Sequence, residues 1–270
     1  MNRRDLELPV LYFFSKSLQS NLDTIYHKKN AEERAFTDHE NIKSNWYIQQ
    51  MDALEFDISK MKAPLRYALL ISLITPRPIA FISTLSDKGI PNAAPFSFFN
   101  LMGSDPPIVA IGIGKDETRK NDLKDSGYNI QKTKEFVINI VNESILEQVN
   151  MTSIDFPPEV DESEIAGLTK LPSIKVKPPR IAESPANLEC RLASTVEIGN
   201  TRIVLGEIIY LHIKKEFLDP YENQTVHTHL ISPVGRMHKN GVYTRTTDLF
   251  NLPRISFKEW KEHEKSSKDI

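Results

Sequence analysis

A single cysteine, Cys190, in 270 residues excludes a disulfide framework within one molecule and fits a reducing compartment. Cys190 falls in an alternating strand pattern, which marks it as a buried, inert thiol rather than a nucleophile. Long apolar runs are also missing: the longest candidate, Leu8 to Phe14, is far shorter than the ~18 residues a helix needs to cross a bilayer. Asn2-Arg3-Arg4 precedes that run, but Asp5 and Glu7 interrupt the basic region and no small-residue cleavage pattern follows, so no targeting segment is read. Charge of one sign is lacking. With 34 Lys and Arg against 36 Asp and Glu the formal net charge is -2, which leaves no electrostatic footprint for nucleic acid or an anionic membrane. The expectation is a cytoplasmic protein without nucleic-acid or membrane partners. There is no internal repeat or low-complexity tract, and the Asn-x-Ser/Thr matches at Asn142, Asn150 and Asn223 have no secretory context. Two apparent motifs fail as well. Gly112-Ile-Gly114 has Glu117 where a third glycine belongs, and no βαβ spacing surrounds it. His227 and His229 would share one strand face, yet no carboxylate or cysteine is spaced to complete a metal shell, so no metal is expected.

What is present is concentrated between Thr75 and Asn100. Pro78 to Leu85 is an apolar, β-branched and aromatic run, Ser86-Asp87-Lys88-Gly89 is turn chemistry, and Ile90 to Pro95 can return antiparallel. Ser83 and Thr84 sit at the first strand's end, one side chain pointing inward and the other outward. Ser97, Phe98, Phe99 and Asn100 then offer hydroxyl, amide and backbone N–H groups beside aromatic rings. Such a set suits a flat heteroaromatic ligand carrying a phosphate, such as a flavin. At least one of Phe96, Phe98 and Phe99 is expected to be an ordinary core aromatic.

Strands dominate the remainder. Leu188 to Ile198 alternates with period two and one buried face, Gly199-Asn200 is a turn signal, and Thr201 to Ile213 is nearly all apolar, which predicts a long hairpin covered on both sides. Helices are predicted over Leu65 to Ile74, ended by Pro76 and Pro78, over Thr118 to Ser126 with Gly127 as its stop, and over Ser144 to Met151. The proline-rich stretch Thr152 to Pro185 reads as a surface excursion. Residues 1–50 form a polar N-terminal extension, partly disordered at its start, with a helix-like pattern from Asp38 to Met51; residues 51–245 form one domain, and residues 246–270 a C-terminal tail.

The segment Thr75 to Asn100 resembles the flavin reductase-like family. Ser104-Asp-Pro-Pro with the strand to Gly114, Lys115-Asp-Glu-Thr-Arg-Lys-Asn121 followed by Gly127, and Glu135-Phe-Val-Ile-Asn-Ile140 agree with it. So do Pro179 to Cys190, Gly206-Glu207 and Pro233-Val-Gly-Arg-Met-His238, which resemble a subgroup with a long C-terminal extension. The resemblance spans about residues 54 to 255. Met51-Asp-Ala-Leu-Glu-Phe-Asp resembles a normal family start, which leaves the preceding residues as a lineage-specific extension or a mis-called start codon.

The resemblance implies a mainly β fold, an FMN-binding split barrel with peripheral helices, and a homodimer with the flavin at its interface. It implies a flavin reductase-type oxidoreductase using FMN, with NADH or NADPH as substrate; a flavin-binding electron carrier and a non-enzymatic FMN-binding protein stay open. The flavin ring would lie along Ser97, Phe98, Phe99 and Asn100, near Ser83 and Thr84. For the phosphate there are two candidate clusters. One is Lys115, Thr118, Lys120 and Asn121 at the start of the predicted helix, unless its cations form a solvated face. The other is Arg77, stiffly held between two prolines, unless it forms a salt bridge. Arg236 and His238, with Tyr243, are the candidate substrate-side group, or Arg236 ties down the C-terminal extension through a carboxylate.

Overall fold

The computed structural model describes residues 53–119, 122–219, 221, 225–238 and 241–266. The N-terminal extension before residue 51, with its helix-like pattern, lies outside the described residues. The chain divides into two units, Met1–Met61 and Lys62–Ile270. The described end of the first carries one 3₁₀ turn, Ile58–Lys60, whose Asp57 carboxylate accepts from the Ser59 N–H at 3.0 Å.

The second unit is built on one seven-stranded antiparallel sheet. Its strands are β1 (Ala80–Leu85), β2 (Pro91–Phe96), β3 (Phe99–Ser104), β4 (Pro107–Gly114), β5 (Glu135–Ile140), β8 (Ala186–Ile198) and β9 (Thr201–Ile213), in the spatial order β2-β1-β5-β8-β9-β4-β3. The β1–β2 hairpin forms as its sequence predicts: Gly89 takes φ +79° in the turn, a conformation cheap only without a side chain. Successive β1 residues then feed opposite cores, as a period of two requires. Phe81 packs with Ile79, Val141, Ile145, Val149 and Ile181. Ile82 packs with Val109, Ile111, Ile113, Phe136, Ile138, Cys190 and Val204. Both faces of the central strands are therefore dry, which is why they read as continuous apolar runs. The second core needs Gly206, because a side chain there would place its Cβ 2.4 Å from Cζ of the fully buried Phe136.

Helix α1 (Ala63–Leu73) ends just before Pro76, as expected. The second helix starts later than Thr118. It is α2 (Asp125–Thr133), with Lys134 closing it at φ 64° and Gly127 inside its first turn. Thr118 instead folds back on Asp116, whose carboxylate accepts from both its N–H at 3.0 Å and its hydroxyl at 2.6 Å. That local turn competes with a helix, and Asp122 at φ 55° breaks the chain direction before α2 begins. A 3₁₀ turn and α3 (Leu146–Met151) follow β5. The proline-rich excursion carries one helical turn, α4 (Glu162–Ile165), and two short strands, β6 (Lys170–Leu171) and β7 (Arg180–Ile181), and its Leu168 and Ile181 seal the Phe81 core. His227 and His229 are not on a strand: His227 precedes the single turn α5 (Thr228–Ile231) and bonds Asp219 through Nε2 at 3.3 Å. The chain closes with β10 (Val234–Arg236), β11 (Tyr243–Arg245) and α6 (Phe257–Ser266).

The long hairpin β8–β9 is present, but the simple alternation along β8 is not. Bulges interrupt it at Glu189/Cys190 and Leu192/Ser194, and Glu189, expected on the open face, is fully buried. The excursion passes over it. The Glu189 carboxylate accepts from the N–H groups of Ile174 (2.8 Å), Lys175 (2.5 Å) and Val176 (3.2 Å) and bonds His212 Nε2 at 2.6 Å. Beyond the bulges both faces are exposed, Thr195 and Glu197 on one and Val196 and Ile198 on the other. Among the described residues no helix is long and apolar enough to cross a membrane.

Candidate functional site

The segment Asn92 to Asn100 contributes to two cavities, residues 97–100 to one and residues 92 and 94–96 to the other. The first, about 670 Å³, lies between α1 and the β3, β4 and β9 strands. Ser97, Phe98, Phe99 and Asn100, the four residues predicted to meet a flavin ring, all line it. Phe98 forms its floor, 46% exposed and 6.4 Å from the Tyr67 ring. Its position depends on Gly112: the Gly112 N–H donates to the Phe98 carbonyl at 2.7 Å, and a Cβ at 112 would stand 3.0 Å from that of Phe98. An exposed aromatic pair in a concave, mostly apolar surface marks a candidate ligand site. Phe96 and Phe99 pack against the Ile82 core, which meets the expectation of ordinary core aromatics.

Arg77 also borders this cavity but does not offer itself to a phosphate. Its guanidinium is 7% exposed for the whole residue and donates to the Ile71 carbonyl (2.6 Å), the Ile74 carbonyl (2.9 Å) and the Met237 carbonyl (2.6 Å), with Nε 3.4 Å from Ser97 Oγ. Its backbone exchanges both hydrogen bonds with Arg236. Arg77 is thus a clamp between the end of α1, the ring-binding segment and β10. Burial lowers its basicity, Tyr67 opposing and Arg236 reinforcing the trend.

The second cavity, about 340 Å³, meets the preceding part of the segment. It is polar, lined by Asn92, Ala94, Pro95 and Phe96, by Asp116, Arg119, Lys124, Asp125 and Ser126, and by Thr152 to Phe156. The N-terminus of α2 opens here, with Lys124 at the cap position and no side chain capping it. First-turn N–H groups have no acceptor within their own helix, so this end attracts an anion. Ser126, buried, bonds Asn92 at 2.9 Å. Arg119 is committed to Asp155 (2.7 Å), the Phe156 carbonyl (2.6 Å) and Asp125 (3.5 Å). Asp125 is raised above the usual carboxylate range by burial, with Arg119 opposing. Glu162, buried against the Ala93 N–H at 2.9 Å, is raised too, first by burial.

Several predicted residues fall elsewhere. Ser83 and Thr84 are both buried, so neither points outward: Ser83 donates to the Pro179 carbonyl at 2.5 Å and Thr84 accepts from Asn129 at 3.0 Å. Lys115 lines neither cavity, and its N–H donates to the Asn200 carbonyl at 2.8 Å. Thr118 is held by Asp116, while Lys120 and Asn121 lie outside the described residues. Arg236 does not line the first cavity; it stacks over Tyr243, 4.7 Å from the ring centre, rather than pairing with a carboxylate, and His238 is exposed. Lys124 and Ser126, not singled out in the sequence, stand at the start of α2 where Thr118 was expected and line the second cavity. The signal was Lys124-Asp125-Ser126-Gly127 directly before the apolar spacing Ile130 to Phe136. Cys190 is fully buried, and that burial pushes its thiol well above the ordinary range. Among the described residues no group of three or more His, Cys, Asp or Glu is placed to hold a metal ion.

A mainly β barrel with a flavin-sized cavity beside a polar, helix-ended one defines the class as a flavin-binding split barrel. Residues 72–229 match the flavin reductase like domain, and the chain belongs to that family. An uncharacterized protein of Deinococcus radiodurans is 38% identical over 216 residues, 78% of this chain and 94% of its own length. Another, from Aquifex aeolicus, is 39% identical over 184 residues, 68% of this chain and 92% of its own. Among solved structures, nitrilotriacetate monooxygenase component B from Bacillus cereus superimposes with TM-score 0.69 at 25% identity, covering 74% of this chain and 98% of that one. The 2-nitrobenzoate 2-nitroreductase of Pseudomonas fluorescens does so with TM-score 0.67 at 32% identity, over 76% and 98%. The protein is a flavin-related oxidoreductase.

Proposed function

We propose that the protein binds FMN and works in the cytoplasm as a flavin reductase-type enzyme, taking reducing equivalents from NADH or NADPH and delivering them to a small acceptor. The observation that carries this reading is the segment Asn92 to Asn100, whose first part lines a polar cavity at a helix N-terminus and whose last four residues line an aromatic one. A ligand with one phosphate and one flat ring system fits that pair. FMN is favoured over FAD because one anion-suited helix end serves the segment and the chain lacks a dinucleotide fingerprint. The residues present suit the group: Lys124 and the first turn of α2 hold the phosphate, Ser97 and Asn100 orient the ring edge, and Phe98, Tyr67 and Met102 exclude water. Bound flavin supplies hydride acceptance and electron delivery; the protein supplies orientation and electrostatics. Similarity to a monooxygenase component and to a nitroreductase supports a small-molecule or partner acceptor. The segments beyond residue 229 are assigned to a C-terminally extended subgroup.

Fluorescence titration is expected to give FMN at least tenfold tighter than FAD, and anaerobic NADH or NADPH should then bleach the flavin's visible band. Equal FAD affinity would remove the phosphate assignment. A flavin that neither nicotinamide reduces would leave an electron carrier.

We also propose a homodimer with flavin at the interface, supported by the outer half of β8, whose Val196 and Ile198 stand exposed on one face of the hairpin. Light scattering at micromolar concentration should report twice the 30.9 kDa chain mass. A flavin-loaded species of single mass would refute it.

A further inference from the structure

A third cavity, about 380 Å³, opens where β8 begins and β9 ends, and it shares no lining residue with either of the first two. Period two along β9 sends Tyr210 and His212 to one face, and Lys214 continues that spacing just past the strand. The two rings stand 4.9 Å apart, tilted 54°. The short pair β6–β7 supplies Leu171 and Arg180, which lie across from each other in register. Arg180 donates through Nε to the Pro172 carbonyl at 3.2 Å, and among the described residues no carboxylate pairs with it. Lys214 likewise bonds a carbonyl, that of Glu183, at 3.0 Å. The Tyr210 hydroxyl has no hydrogen-bond partner among the described residues, and since none of their buried side-chain polar atoms lacks one, it is reached by solvent. Among the described residues no carboxylate lines this cavity. Glu189, which holds His212 at 2.6 Å, is fully buried and turned to the N–H groups of the excursion. Two cations therefore line one cavity without an acidic partner, a field that favours an anion.

We propose that this cavity binds a small phosphate monoester, its phosphate at Arg180, Lys214 and Tyr210 and its organic body against His212 and Leu171. The site is separate from the flavin cavities and does not rest on the flavin reading. A phosphate monoester carries about two negative charges near neutral pH, which matches the two cations. Its free oxygens accept from a guanidinium fork, an ammonium and a phenol together. A carboxylate brings one charge and two oxygens, and leaves part of that donor set unused. The Tyr210 and His212 rings give a flat body an aromatic wall.

The test is calorimetric titration of the full-length protein, with FMN present in excess, using phenyl phosphate and benzoate as probes. Phenyl phosphate should bind about tenfold or more tightly than benzoate, because it adds a second charge and a third oxygen. Arg180→Gln should weaken it by about tenfold or more, and Tyr210→Phe by roughly threefold to tenfold, with FMN affinity unchanged in both. Should Arg180→Gln melt early, Tyr210→Phe makes the comparison in a folded chain, since it removes one oxygen and keeps the ring. Equal affinity for the two probes, or phenyl phosphate binding that is unchanged in both variants, would overturn the proposal. Binding seen only when FMN is left out would place the anion at the N-terminus of α2 and overturn it as well.

Discussion

Replacing Glu189 by alanine is expected to lower the melting temperature by ~10 °C or more, although the residue lies in neither cavity. Its carboxylate is the common acceptor for three successive N–H groups, those of Ile174, Lys175 and Val176, and for His212. Removing it leaves the buried Val176 N–H and the part-buried Ile174, Lys175 and His212 groups without their acceptor, and each such donor left unsatisfied costs ~1–3 kcal/mol. Even partial relaxation leaves a loss of ~4 kcal/mol, which at ~2–4 °C per kcal/mol for a domain of this size gives the predicted shift. Glu189→Gln should cost less, since one oxygen remains. The wild type should also carry a pH signature. Burial alone would raise the Glu189 pKa, but the His212 bond and the N–H groups of Ile174 and Lys175 outweigh it and hold the carboxyl below the ordinary value near 4.5. Because the folded value is depressed, its contribution is complete above the ordinary glutamate value and is lost as pH falls through the depressed one. The melting difference between wild type and Glu189→Gln should therefore be constant at neutral pH and close in acid. A Glu189→Ala melt within a degree or two of wild type would show that the excursion does not depend on this carboxylate.

Glu189 also shows where a one-dimensional reading stops. The alternation along Leu188 to Ile198 placed it on the open face, which is correct for a strand with one neighbouring layer. What buries it is the loop 174–176, a contact that no local pattern along the strand announces, and two bulges that shift the register where the covering loop ends. The β1–β2 hairpin was legible because strand, turn and strand lie within some twenty residues and each chooses the same structure. Helix α1 was legible for a similar reason, its end written by Pro76 and Pro78. The start of α2 was not. Asp116, Thr118 and Asp122 build a turn from side-chain bonds and one positive φ, and those choices overrode a helical pattern that composition alone allowed.

The candidate site divides in the same way. Ser97 to Asn100 stand out in the sequence because their residue types are unusual for a strand junction, and all four line one cavity. The helix start expected at Thr118 lies one short loop later, at Lys124 to Ser126. Ser83 and Thr84 were read as ligand groups because hydroxyls at a strand end suggest one. Both are instead consumed by distant partners, Pro179 and Asn129.

Arg77 provides the sharpest contrast between the two kinds of reading. A phosphate-gripping arginine and a structural clamp make opposite forecasts for Arg77→Met. As a phosphate ligand, its loss would weaken FMN by roughly a hundredfold and leave the melt unchanged. The geometry forecasts the reverse. Methionine fills much of the volume but strands the carbonyls of Ile71, Ile74 and Met237, which accept from the guanidinium at 2.6, 2.9 and 2.6 Å. Leaving three carbonyls without their donor costs ~1–3 kcal/mol each, so the melt should fall by ~10 °C. FMN affinity, measured where the variant is still folded, should stay within about threefold. Lysine should not rescue the loss, because one ammonium cannot reach three acceptors spread between the end of α1 and residue 237, more than a hundred and fifty positions apart in the chain. A stable Arg77→Met protein that had lost FMN would restore the phosphate role and move the flavin's anionic end from α2 to the cavity beside α1.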